Sequence, residues 1–287
     1  MSGSIGIWQI YYQAVQKSQL DSAFVPLDNS RFPSETHELA VFQRLHTSGA
    51  TAPYSAWGAL SWRFAEKTGL SGHELLQIVQ QSPSVDVFYM NPFPHIEALF
   101  ASPWWHGEVA HPDLLEVANA FLDAAGLSAS ELNRLTPARE FSMCNYFVGS
   151  PRFWESYLPF IEQALQRADM HMPPALRNKM HSEDADWRKL HHASTYIPFV
   201  VERLFTVFLH SHSRHLKVQK IPCPLGESNM NEDLLELRNM KDVAVLSRSK
   251  NILTMWQDKR SEYFRKTSNA RWCERYLDRL MAAPVAW

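Results

Sequence analysis

Hydrophobic residues fall into two patterns along the chain: short continuous runs, and stripes at helical spacing. The runs at 5–12 (IGIWQIYY) and 85–90, rich in β-branched and aromatic residues, predict buried strands, and those at 24–27 and 54–64 predict further strands, the latter with a turn after it. Residues 14–20 predict a short helix. Leu39, Phe42 and Leu45 sit at the spacing of a helix over 38–45. Ser71 and Glu74 form a capping-box pair that opens a helix to about Gln81, with Leu75, Leu76 and Val79 on one side. Strands alternating with helices imply βαβ units, an α/β class and a largely parallel sheet. Further on, Leu114, Leu115, Val117, Ala118, Phe121 and Leu122 mark a helix over 113–125. An apolar run follows at 141–148, then a helix over 152–167 behind Ser150-Pro151, where proline suits a first turn. Residues 170–190 read as polar and loop-like, 196–210 as a very apolar helix, and 217–222 as a last short strand.

The stretch 85–114 concentrates unusual chemistry. Pro92 and Pro94 stop the strand that ends at Met90, because each fixes φ and removes an N–H donor. Asn91, His95 and Glu97 are then expected on a turn at a strand's carboxyl end, where open α/β sheets bind ligands. Trp104, Trp105, His106, Glu108, His111 and Asp113 follow in what reads as a loop, and aromatic and titratable groups in a loop suggest binding. From Lys241 onward basic residues outnumber acids and alternate with Trp256, Tyr263, Phe264, Trp272 and Tyr276. This segment, 241–287, is expected to be a basic amphipathic helical appendage to a domain at 1–240. Its aromatics suit either packing on that domain or docking at an anionic membrane surface.

Composition narrows the class. With 45 % hydrophobic and 20 % charged residues in 287, the chain is an ordinary globular protein, and a net charge of -2 gives no general attraction to nucleic acid. Three separated cysteines without CxxC spacing indicate neither a zinc site nor a disulfide framework, so a reducing cytoplasm is expected. The start lacks the features of a signal peptide, and no run approaches the roughly 20 apolar residues that cross a bilayer.

Most motif-borne chemistry is missing: there is no GxGxxG after the first strand, no P-loop, no GxSxG and no HExxH. A DxD triplet is also missing, and Asn91-Pro92-Phe93-Pro94-His95 stands where one would be expected. His106, Glu108 and His111 give a weak metal spacing, and Glu108 as a general base is easier to credit. His210, His212 and His215 invite a metal reading that competes with placement at a helix carboxyl end. Glu202-Arg203 lies within an apolar helix. Adjacent helical positions point apart, so each is expected to need a partner or a ligand of its own.

Taken in order, several segments resemble bacterial glycosyltransferases of polysaccharide and O-antigen (lipopolysaccharide) clusters. They are Pro26-Leu27-Asp28-Asn29, Asn91-Pro92-Phe93-Pro94, Gly107-Glu108 with His111-Pro112-Asp113-Leu114, the stretch from Asn145 to Glu162, and Glu202-Arg203-Leu204-Phe205. The resemblance covers roughly residues 5 to 210 and implies a GT-A-like, Rossmann-type mixed sheet flanked by helices, with a mainly helical C-terminal region. It implies a hexosyltransferase that moves a sugar from a nucleotide-sugar donor, a UDP-sugar first among them, to a growing surface glycan or lipid-linked saccharide. Asp28, Asn29, Asn91, His95 and Arg203 would then bind the donor, and Trp104, Trp105 and Asn145 the acceptor. Glu108, His111 and Glu202 would serve catalysis. The missing DxD leaves a divalent metal open and also admits a non-catalytic glycan- or nucleotide-sugar-binding module. Asp113 stands where the pattern more often has glycine. The protein is expected in the cytoplasm, with membrane association through the C-terminal segment as a second reading and no nucleic-acid partner.

Overall fold

The computed structural model describes residues 3–183 and 194–287. Its strands are β1 (Ile5–Tyr11), β2 (Val25–Asp28), β3 (Ala56–Ser61), β4 (Val87–Met90), β5 (Phe147–Gly149) and β6 (Val218–Ile221). Its main helices are α1 (Glu38–Thr47), α2 (Phe64–Thr68), α3 (Gly72–Gln81), α4 (Pro94–Leu99), α5 (Pro103–Ala110), α6 (Leu114–Ala125), α7 (Pro151–His171) and α8 (Pro174–Met180). They continue with α9 (Ile197–Ser211), α10 (Pro224–Ser228), α11 (Glu232–Ser247) and α12 (Lys250–Thr267). The chain is α/β, and it divides into two compact units: 1–92, 142–163 and 201–228 in the first, 93–141, 164–200 and 229–287 in the second.

The first unit holds the whole sheet, in the order β2-β1-β3-β5-β4-β6. Pairing is parallel for β1 with β2 and β3, and for β4 with β6, while β5 runs antiparallel between β3 and β4. Gly58 makes the β3–β5 contact possible: a Cβ there would lie 2.2 Å from the Phe147 carbonyl oxygen. The central strands β1, β3, β4 and β5 are buried, which is why they read as continuous runs, whereas the edge strand β2 is largely exposed. Ile7, Leu60, Phe64, Leu75, Phe88 and Val148 form one cluster. Elsewhere in the unit Trp57 stacks on Trp154 at 4.1 Å, and the Trp154 indole N–H donates to the carbonyls of Trp57 and Gly149, each at 3.1 Å. Ser71 and Glu74 make both halves of the expected capping box on α3. From β1 the chain moves to β2 on one side and then crosses to β3 on the other. The connections after β1 and β3 therefore part at their carboxyl ends, the place where open α/β sheets form a ligand crevice. Buried Gln9 ties the two sides together, donating to the carbonyls of Ser61 at 3.4 Å and Trp62 at 3.3 Å and accepting from the Asp21 amide at 2.7 Å.

The second unit is helical, with α11 packed on α12 and α4, α5 on α6, and α6 on α8. Its organising contact is at the end of α4. Lys241, fully buried, donates to the carbonyls of Glu97 and Phe100. The Trp256 indole donates to Ala98, and Arg260 to Leu99 and Leu280. The carbonyls that a helix end leaves open are thus satisfied by side chains from α11 and α12.

Three expectations change here. Residues 103–110 are a helix rather than a loop: Ser102 caps it by accepting from the Trp105 amide, and Pro103 fits its first turn. Within 170–190, residues 174–180 are helical behind Pro173-Pro174, and 184–190 lie outside the described residues. The boundary expected at 241 falls inside α11, whose two sides belong to one unit. Trp256 and Phe264 are buried in that unit, so these rings of the basic segment serve packing. Among the described residues no helix is long and apolar enough to cross a membrane.

Candidate functional site

The carboxyl edge of the first unit's sheet collects side chains that follow β1, β2, β3 and β4, that precede β5, and that come from α9. After β2, the Ser30 hydroxyl and then the Ser30 amide, which donates to Asp28 at 2.9 Å, hold the Asp28 carboxyl below the usual range. Asn29 is buried, takes its amide to the Tyr11 carbonyl at 2.8 Å, and accepts from the Arg44 guanidinium at 2.8 Å. Burial pushes the Tyr12 phenol above its ordinary value and the Glu38 carboxylate adds to the rise, while the Asn29 amide works the other way. Glu38 opens α1 behind His37, a non-glycine residue at φ 46°, a strained backbone that tends to occur at functional sites.

After β3, Lys67 of α2 stands 5.9 Å from the centre of the Tyr146 ring. Tyr146 leads into β5 and is buried, and its hydroxyl makes no well-formed hydrogen bond, the Ser61 hydroxyl being close by. Burial pushes this phenol well up; the Ser61 hydroxyl and Arg63 oppose the rise, Cys144 and Glu38 add to it. At the end of β4, Asn91 is buried, and the Cys144 thiol donates to the Met90 carbonyl at 3.2 Å. Burial and the nearby Glu202 charge both raise the Cys144 pKa.

Glu202 of α9 faces the same place. Desolvation pushes its carboxyl up to about 7, with Arg203 and Lys67 lowering it and Glu38 raising it. Its side chain keeps 27 % of its surface exposed and lies 3.8 Å from the Arg203 guanidinium. The two neighbours thus do pair, loosely, contrary to the expectation from helical geometry. Burial pulls the Arg203 guanidinium down to about 10 against the Glu202 charge. A carboxyl both reachable and poised near neutrality can take or give a proton at ordinary pH.

The candidate residues divide between the units. Asp28, Asn29, Asn91, Asn145, Glu202 and Arg203 belong to the first; His95, Trp104, Trp105, Glu108 and His111 belong to the second. Glu108 is occupied: its side chain is 3 % exposed and pairs with Arg279 at 2.7 Å. It also accepts from the amides of Asp113 at 3.4 Å and Leu115 at 2.9 Å. It caps α6, and with its charge met by Arg279 and two amides in a buried place it is poorly disposed to act as a base. Asp113 adopts φ 73°, a left-handed conformation that explains why glycine suits this position. His111 is buried and stacks on Phe199 at 3.5 Å. Trp104 and Trp105 are buried too, and the Trp105 indole donates to Asn133 at 3.1 Å, so neither ring offers a platform to an acceptor. His95 is part-buried, which lowers its pKa.

Among the described residues no group of three or more His, Cys, Asp or Glu side chains is placed to hold a metal ion. In the HSHSRH segment His212 packs on Phe160 and His215 reaches Ser156. Sequence reasoning passed over Tyr12, Glu38, Lys67 and Tyr146. Tyr12 and Lys67 follow strands closely, Glu38 opens the helix after β2 and Tyr146 precedes β5, positions that could have singled them out. No protein-family model matches the chain, and neither does any curated protein or solved structure.

Proposed function

We propose that the protein is a glycosyltransferase whose first unit is a GT-A-like domain. It takes a nucleotide sugar at the carboxyl edge of its sheet and passes the sugar to a hydroxyl of a glycan or lipid-linked acceptor. The observation that carries the reading is Glu202: a reachable carboxyl pushed up to about 7, in a crevice at a topological switch point. In this reading Glu202 accepts the proton of the attacking hydroxyl. That step needs a base poised near the working pH and is worth roughly 10²–10⁴ in rate. Asn29 with Asp28 shapes the wall at β2, and Arg203 holds Glu202 in place. The mixed sheet with one antiparallel strand among parallel ones is compatible with this class.

The test is a panel of nucleotide sugars with saccharide acceptors, scored for release of the nucleoside diphosphate, in the natural protein and in Glu202→Gln. Turnover with one donor, reduced by roughly 10²–10⁴ in the variant while the donor still binds, supports the reading. Turnover unaffected by Glu202→Gln refutes the assignment of the base. Binding of a donor without any turnover in the natural protein favours a non-catalytic nucleotide-sugar-binding module.

A further inference from the structure

We infer that Lys67, Tyr146 and Ser61 form an anion subsite in the crevice of the first unit, and that it receives the diphosphate of a nucleotide ligand. The inference deepens the transferase reading and rests on it for the identity of the ligand. The geometry of the subsite stands by itself.

Two observations point the same way. The Tyr146 hydroxyl is buried, with the residue 3 % exposed, and lacks a hydrogen-bond partner. A buried hydroxyl without a partner is destabilising, and native proteins keep such groups where a ligand or an ordered water completes them. Independently, Lys67 is half-buried and stands over the same ring at 5.9 Å, and among the described residues no carboxylate lies within ion-pair distance of it. Its neighbour Arg63 is by contrast fully engaged with Glu66, through Nε at 2.9 Å and Nη2 at 2.5 Å. Lys67 is therefore a cation beside this ring that makes no close ion pair, its charge being met only at longer range by Glu202.

Ser61 completes the donor set. Its hydroxyl oxygen accepts from the Arg63 amide at 3.1 Å, which leaves its proton to give, and it adjoins the Tyr146 phenol. Two hydroxyl donors and an ammonium at the carboxyl edge suit a ligand rich in acceptor oxygens and negative charge. A diphosphate meets that description; a neutral sugar has no use for the ammonium. Glu38 and Glu202 face the same space and oppose an anion, so the charge state of Glu202 tunes it. A bound diphosphate in turn keeps a proton on Glu202 to higher pH, which makes it a stronger base for the acceptor hydroxyl.

Calorimetric titration of the full chain with inorganic pyrophosphate at fixed ionic strength tests the assignment. One-site binding is expected, weakened about tenfold by Lys67→Met, the loss of one charge-assisted contact. Tyr146→Phe is expected to weaken it about fivefold while raising the melting temperature of the ligand-free protein, since an unsatisfied buried hydroxyl has been removed. Pyrophosphate that does not bind, or that binds both variants as well as the natural protein, overturns the subsite. Tyr146→Phe melting lower than the natural protein would equally show that the hydroxyl was already partnered. The outcomes separate from those of the transferase reading. Pyrophosphate bound through Lys67 with no nucleotide sugar consumed leaves the subsite standing and the transferase refuted. Sugar transfer with pyrophosphate binding indifferent to Lys67 does the reverse.

Discussion

Replacing Glu202 by Gln should make the protein more stable at pH 8 and leave it nearly unchanged at pH 5. The carboxyl rises from an ordinary 4.5 to about 7 on folding, chiefly by desolvation. A group whose folded pKa is raised binds its proton more tightly in the folded state. Between pH 4.5 and 7 the folded chain therefore holds a proton that the unfolded chain has lost, and stability falls as pH rises. By pH 8 both forms are ionised and the whole penalty is present, about 3–4 kcal/mol at most at 1.36 kcal/mol for each pH unit. With 27 % of the side chain open to water, about 2 kcal/mol is the working figure. The attraction of Arg203 is already contained in that pKa, so the amide gains the difference. Urea unfolding of both proteins at pH 5 and pH 8 measures it. The natural protein should lose about 2 kcal/mol relative to the variant between the two pH values, and the variant should be the catalytically impaired one. A natural protein with the same stability difference from Glu202→Gln at both pH values would refute a desolvated carboxyl, and with it the basis for choosing Glu202 as the base.

Two further predictions concern the second unit. Lys241→Met removes the ammonium that Glu97 and Phe100 carbonyls share and leaves two buried acceptors open. The expected loss is about 2–4 kcal/mol, read as a lower denaturation midpoint; a midpoint equal to that of the natural protein would mean that other donors satisfy those carbonyls. Arg248 ends α11 at φ 51°, exposed, in the left-handed conformation that glycine adopts without strain. Arg248→Gly should stabilise by roughly 0.5–1 kcal/mol, and thermal unfolding that is unchanged or lowered would contradict that conformation.

Much of the sheet was legible because β1, β3 and β4 are buried and announce themselves as apolar runs, with the exposed β2 beside them. The runs at 5–12, 24–27, 54–64 and 85–90 all contain strands, and the Ser71–Glu74 pair opened α3 where its spacing required. Strand direction was not legible. β5 is three residues inside a longer apolar run, and its antiparallel insertion depends on Gly58 in a strand far away in sequence. The α5 helix carried readable signals in Ser102 and Pro103, but two tryptophans and Gly107 outweighed them. The left-handed turn at Asp113 was hinted at by glycine's preference for that position, although no local pattern linked it to Glu108.

The contrast between the two carboxylates explains why the site had to be read from the fold. In sequence Glu108 stands in an aromatic, histidine-rich stretch that suggests chemistry, and Glu202 in an apolar helix that suggests structure. In the fold their positions exchange. Glu108 receives two amides and a guanidinium, so its charge is compensated and nothing remains to be gained from a substrate. Glu202 has one long contact to Arg203, a like charge in Glu38, and partial access to water. Its ionised form is thus held at a free-energy disadvantage that accepting a proton from an incoming hydroxyl, or approaching a cation, relieves. A structural carboxylate is identified by how fully its charge is met, and a chemical one by what is left unmet. Local composition encodes neither, because what decides it, Arg279 for one and, for the other, burial by the fold with Glu38 and Lys67 added to the neighbouring Arg203, comes largely from distant parts of the chain.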